Sequence, residues 1–159
     1  MQALLTAQYD EVTGARGALF SFCRSMDNTH LLSSVAEFNN SNIISLLVHN
    51  ANTYINWLAP LDQAKDSHFF SSLTINGIDQ IEEIYSQVNG VVADFLLRHS
   101  LDYTSPITQS LPHLDHIITV TPLQLYTHVI THEFHHKGQI LTMSRLLGYT
   151  PADTDVIRT

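Results

Sequence analysis

The segment "THEFHHKGQ", Thr131 to Gln139, places three histidines and a glutamate within one short run. Inside it His132-Glu133-Phe134-His135-His136 matches H-E-x-x-H, the pattern in which two imidazoles one helical turn apart hold zinc and the glutamate activates a water. Imidazoles at i and i+4 are neighbours on a helix surface and can share one cation at metal–nitrogen distances of about 2.0–2.1 Å. At about 100° per residue, His128, His132, His136 and Gln139 fall in one narrow sector, with Leu125, Val129, Ile140, Met143, Leu146 and Leu147 in it or beside it. This placement predicts histidines that face the core, with Glu133, Lys137 and Arg145 well off the stripe and His135 at its margin. Burying imidazoles side by side is unfavourable unless each gains a hydrogen bond or a metal, and one divalent ion satisfies all of them together. Core histidines bonded to backbone or water are the competing reading, which suits one such residue better than three.

Two ligands do not make a stable site, so a third must come from another helix. The candidates are His30, His49, His68, His99, His113 and His116. His49 alone stands in the middle of a predicted helix, where sites built between facing helices draw their ligands. On that helix, however, it shares a polar stripe with Asn42, Ser45, Asn52 and Asn56, nearly opposite the apolar face, and taken alone it reads as a solvated surface residue.

A peptidase needs more than the five-residue motif. The extended form requires Gly three residues after the second His and a further His three beyond, where this chain has Gln139 and Thr142. No glutamate follows Glu133 to act as a third ligand, and no sheet is predicted that would hold an extended peptide. Glu133 itself lies about 100° round the helix from His132, which suits a surface or interhelical charge better than a general base.

Four helices must carry these residues. Leu5, Tyr9, Val12, Leu19, Cys23 and Met26 recur at three- and four-residue spacing across Ala3 to Met26, with Asp27-Asn28 as the expected end. Ile43 to Leu58 shows a second apolar face, closed by Pro60, and Ile78 to Leu96 a third, with Asp79, Glu82 and Glu83 in the first turns, where the helix dipole favours negative charge. The fourth starts at Thr121-Pro122-Leu123-Gln124, a capping-box pair with Pro at the first helical position, and stops at Gly148 and Pro151. Between the third and fourth helices, "PIT" and "HIITV" can pair as a small hairpin. Two long connections among four helices predict an all-α four-helix bundle with crossover connections, in one domain spanning residues 1–159.

Composition narrows the function. Only 14% of residues are charged, and 15 acidic against 7 basic side chains give a formal charge of −8. The scattered bases Arg16, Arg24, Lys65, Arg98, Lys137, Arg145 and Arg158 form no stripe for phosphates, which disfavours nucleic acid as a partner. Without a signal-peptide pattern or a long apolar run, no membrane association is expected and a cytoplasmic location is. The lone Cys23 reads as a small core residue and not as a nucleophile.

The residues "SLLVHNANTYINWL", containing His49, and "HEFHHKGQILTMSRLLG", containing His132, His136, Gly138 and Gln139, followed by "LLGYTP", resemble the DinB family of damage-inducible, YfiT-like proteins over nearly the whole chain. The family pattern pairs a mid-helix His on the second helix with H-x-x-x-H-[RK]-G-Q on the last, and Lys137 stands where Arg is usual. The resemblance implies a four-helix bundle, often a homodimer, in which His49, His132 and His136 hold Ni²⁺ or Zn²⁺ with open positions for water. It would place the polar stripe of the second helix in a solvent-filled cleft, with Asn52 and Tyr54 near its entrance and His128 lining it or acting as an additional ligand. Relatives with assigned chemistry include transferases and isomerases that use low-molecular-weight thiols. The expected function is therefore a metal-dependent enzyme that activates water or such a thiol against a small-molecule substrate. The alternatives are a non-catalytic metal- or ligand-binding stress-response protein and a purely structural metal.

Overall fold

The computed structural model describes residues 1–59, 69–110 and 117–158. Pro60, Lys65, His68, Pro112, His113 and His116, which figure in the sequence reading, lie outside the described residues. The described elements are α1 (Gln2–Arg24), α2 (Asn28–Leu32), α3 (Ile43–Leu58), α4 (Ile78–Arg98), β1 (Ile107–Ser110), β2 (Ile117–Val120) and α5 (Pro122–Leu146). The chain is thus mostly helical, and the small hairpin is present: β1 and β2 pair antiparallel with Ile107 opposite Val120 and Ser110 opposite Ile117.

Capping explains the helix starts. At α3 the Ser45 amide donates to Asn42 Oδ1 at 2.7 Å while the Asn42 amide donates to Ser45 Oγ at 3.0 Å. The same reciprocal pair opens α5, where Gln124 N–H reaches Thr121 Oγ1 and Thr121 N–H reaches Gln124 Oε1. Asp27 corrects one expectation. Its carboxylate does not end α1 but accepts the Thr29 amide at 2.8 Å and so starts the short α2, which hydrophobic periodicity over five residues could not reveal. At the other end of α5, Gly148 adopts φ +91°, its N–H bonds to the Arg145 carbonyl, and the Tyr149 N–H reaches back to that of Ser144. This is a Schellman stop, with the glycine in the left-handed position that a side chain disfavours.

Helix α3 packs against both α4 and α5, and α1 packs against α4 and, less extensively, α5. Their shared core includes Leu5, Val12 and Leu19 of α1, Ile44, Leu47 and Tyr54 of α3, Ile81, Val88 and Phe95 of α4, and Leu125, Val129 and Met143 of α5. Cys23 is fully buried, and burial pushes its thiol up to about 12, as suits a core residue. The hairpin is tied to the end of α3 by a hydrogen bond from Gln109 Nε2 to the Trp57 carbonyl. None of the described helices is long and apolar enough to cross a membrane.

The burial of α5 differs from the expectation. Tyr126, Ile130, Glu133, Lys137, Ile140 and Ser144 are all buried, a stripe at alternating four- and three-residue spacing that runs through both charged residues. The histidine stripe lies to one side of it: His128 is exposed, His132 half-buried and His136 buried. The histidines therefore edge the core and open onto a cleft, while Glu133 and Lys137 occupy the interior.

Gly148→Ala should cost about 1–2 kcal/mol, the usual penalty for an L side chain in the left-handed region, since no atom lies near the added methyl. Urea unfolding monitored by circular dichroism measures it; an unchanged midpoint would show that the Schellman stop does not hold the end of α5.

Candidate metal centre

Three imidazoles converge where α3 faces α5. His49 Nε2 and His132 Nε2 are 3.3 Å apart, and His132 Nε2 and His136 Nε2 are 3.0 Å apart. One ligand atom from each residue lies within 4.8 Å of the other two. Two nitrogens bound tetrahedrally at about 2.0–2.1 Å from one ion stand about 3.3 Å from each other, so the donor set fits a divalent metal. The chemistry of the donors agrees. The His136 Nδ1 sits 2.6 Å from Gln139 Oε1, an acceptor, so Nδ1 carries the proton and Nε2 presents its lone pair toward the other two rings. This gives the Gln of the "KGQ" triplet a definite task, which is to fix the tautomer and the ring plane of His136.

The cleft beside the triad has a volume of about 330 Å³. His49 and His132 line it together with Asn52, Asn56, Trp57 and His128. The polar stripe of α3 therefore flanks the cleft, and what looked like solvated surface in the sequence is a wall. Tyr54 departs from the expectation: it is fully buried and far from any entrance role, since its hydroxyl donates to Glu133. His128 does not join the triad; its ring meets Trp57 edge-on, with centroids 4.8 Å apart, and stacks on His132 at 5.7 Å. Among the remaining candidates, the His30 Nδ1 is 2.8 Å from the Tyr149 hydroxyl, and His99 packs on Phe95.

Sequence reasoning missed the charge network behind the site. Arg16 Nε donates to Glu133 Oε1 at 2.7 Å and the second guanidinium arm donates to Oε2 at 2.8 Å, with both side chains buried. Arg16 also donates to Asn89 Oδ1 and lies 4.6 Å above the Tyr85 ring. The signal was available: Arg16 falls in the α1 stripe between Val12 and Leu19 at four- and three-residue spacing, a charge where only apolar residues are expected. With both oxygens engaged, Glu133 acts as an interhelical charge, and the peptidase role of that position has no carboxylate to serve it. Lys137 is similarly spent, its Nζ donating to the Thr154 carbonyl at 2.6 Å above the ring of Phe134.

A mostly helical chain with three imidazoles brought together from two helices defines the class as a helical protein with a histidine-built site suited to a metal ion. The family model described as DinB family matches residues 1–159, and the chain belongs to that family. No curated protein matches the chain.

Two measurements probe this arrangement. Burial, followed by the neighbouring imidazoles His136 and His49, lowers the His132 pKa from 6.5 to about 4, and burial also lowers that of His136. Below pH 6.5 the unfolded chain then binds more protons than the folded one, so metal-free protein should be most stable above pH 6.5 and lose stability as pH falls toward 4. Thermal melts across that range should show His132→Ala with a weaker dependence; an equal slope would remove His132 from the account. Glu133→Ala, which leaves Arg16 buried without a counter-charge, should destabilise by about 3–5 kcal/mol, with the Arg16→Met/Glu133→Leu pair recovering much of the loss in denaturant titrations.

Proposed function

We propose that the chain is a metal-dependent enzyme of the DinB type, built as a four-helix bundle with crossover connections, in which His49, His132 and His136 hold Ni²⁺ or Zn²⁺. The observation that carries this reading is the convergence of three Nε2 atoms at the rim of a cleft. A bound divalent ion would lower the pKa of water or of a low-molecular-weight thiol and so supply a nucleophile at neutral pH. The chain's own residues do the positioning. Gln139 holds His136, the Thr53 hydroxyl donates to the His49 carbonyl, and Asn52 is locked to the Phe70 backbone through both its amide atoms. Neutral imidazoles leave the ion its full charge, which favours deprotonation of whatever binds the open positions. A closed structural site would need a fourth protein ligand, and the turn of His128 toward Trp57 argues for the open, catalytic form.

The engagement of Glu133 in the core favours a second reading, a non-catalytic metal- or ligand-binding stress-response protein, because the carboxylate next to His132 cannot serve as a base. In either reading the partner is a small molecule and the setting a cytoplasmic homodimer.

Protein purified without an affinity tag should carry close to one equivalent of divalent metal by mass spectrometry, and the His49→Ala/His132→Ala/His136→Ala variant should carry none. Retention of metal by the variant would overturn the assignment. A thiol-transfer and hydrolysis screen on the loaded protein then separates enzyme from binder.

A further inference from the structure

The wall of the cleft away from the triad is aromatic and amide in character. Trp57 and Phe69 stand on it, and the His128 ring is braced edge-on against Trp57. Among the described residues that line the cleft, none carries a carboxylate, an ammonium or a guanidinium. Two of its three amide and hydroxyl side chains among the described residues are already committed. Asn52 exchanges hydrogen bonds with the Phe70 amide and carbonyl, each at 2.9 Å, and the Thr53 hydroxyl is bonded to the His49 carbonyl. The third is not: Asn56 Oδ1 is shielded from solvent and finds no hydrogen-bond partner among the described residues. A buried acceptor left unmet is unfavourable, and native proteins rarely keep one without a use. The χ2 torsion of an asparagine is broad, so a rotation of the amide would turn this acceptor toward a ligand N–H or O–H in the cleft and give it the bond it lacks at rest.

From this we infer that the cleft selects an uncharged small molecule with a flat apolar portion. That portion lies along Trp57 and Phe69, a hydrogen-bond donor of the ligand meets Asn56, and the reacting end points to the histidines. The volume, about 330 Å³, equals about eleven waters at ~30 Å³ each and limits the bound part to a single ring with a short substituent. Against this wall a charged group would have to shed its hydration shell on aromatic and amide side chains, with no opposite charge among the described lining residues to receive it; an anion's partner would be a bound ion and not the wall. Trp57 and Asn56 are then the residues that set specificity. The inference rests on the metal-dependent reading only for which end of the ligand reacts; affinity for the flat portion does not require the ion.

The chain contains one tryptophan, so its single indole N–H resonance reports on this wall directly. Benzamide serves as the neutral flat probe, against benzoate, benzylamine and the non-planar cyclohexanecarboxamide. The native protein is titrated both loaded with Zn²⁺ and stripped by a chelator, with Zn²⁺ affinity measured separately by calorimetry. Benzamide should shift the Trp57 resonance in both forms and, in the stripped protein, bind at least tenfold more tightly than the other three. Saturation-transfer measurements should show binding at least fivefold weaker in Trp57→Leu and in Asn56→Ala, and nearly retained in Trp57→Phe. Equal or tighter binding of benzoate or benzylamine to the stripped protein overturns the inference, as does undiminished benzamide binding in Asn56→Ala or no shift at Trp57. Should Trp57→Leu fail to fold, Asn56→Ala decides alone. A protein that binds benzamide but not Zn²⁺ would keep this inference and lose the metal reading, and the reverse result would do the opposite.

Discussion

The buried contact between Arg16 and Glu133 fixes the rotation of α5, and the rest of the site follows from that rotation. A carboxylate in the interior must meet an opposite charge, and this one accepts from both arms of one guanidinium and from the Tyr54 hydroxyl. With Glu133 pointing inward, its neighbour one residue earlier is turned by about 100°, which brings His132 to the rim where α5 meets α3. His136 follows one turn later on the same side, and His49 arrives from α3, the helix that also supplies Tyr54. The three aromatic rings of Tyr9, Tyr54 and Tyr85 surround the guanidinium and complete the clamp. Burial and the nearby Glu133 charge hold the Tyr54 hydroxyl well above its ordinary range, so it stays protonated as a donor.

The triad itself is graded. His136 is buried and held by Gln139, His132 is half-buried, and His49 is exposed. An ion would therefore meet the imidazoles from the side of His49 and settle against a ring whose orientation is already set. The same gradient governs protons. The two rings of α5 resist charge chiefly through burial; His136 and His49 add to that resistance at His132, while at His136 the bond to Gln139 works against it and His49 and His135 add to it. Neutral lone pairs are what a divalent metal requires, so the burial that disfavours imidazolium prepares the site for a cation of another kind.

Much of this could be read from the sequence where local chemistry decided the matter. The Asn42–Ser45 and Thr121–Gln124 pairs mark the starts of α3 and α5 because a capping box is a short-range signal, and Gly148 marks a stop because few other residues accept a positive φ. Interior position was harder to read. A helical wheel ranks faces by apolar content, so it sets Lys137 off the core stripe and leaves Glu133 as a surface or interhelical charge, although Tyr126, Ile130 and Ile140 share their spacing. The missing information was pairwise: Glu133 belongs inside only because Arg16, on another helix, does too. His49 posed the same difficulty in reverse. Its polar neighbours suggested water, and the resemblance to a family rather than the wheel pointed to a cleft, which the structure places at Asn52 and Asn56.

Arg16 and Glu133 stand 117 positions apart, and His49 and His132 stand 83 apart. During synthesis the first member of each pair emerges long before the second. Until α5 leaves the ribosome, Arg16 is a charge on the apolar stripe of α1 with no counter-ion, which opposes the closing of α1 onto α3 and α4. The last helix then delivers the missing carboxylate and two imidazoles in adjoining turns. Assembly of the triad is in this way tied to the seating of the Arg16–Glu133 pair, and a fragment that stops short of α5 has neither that pair nor the ligand set with which to hold a metal.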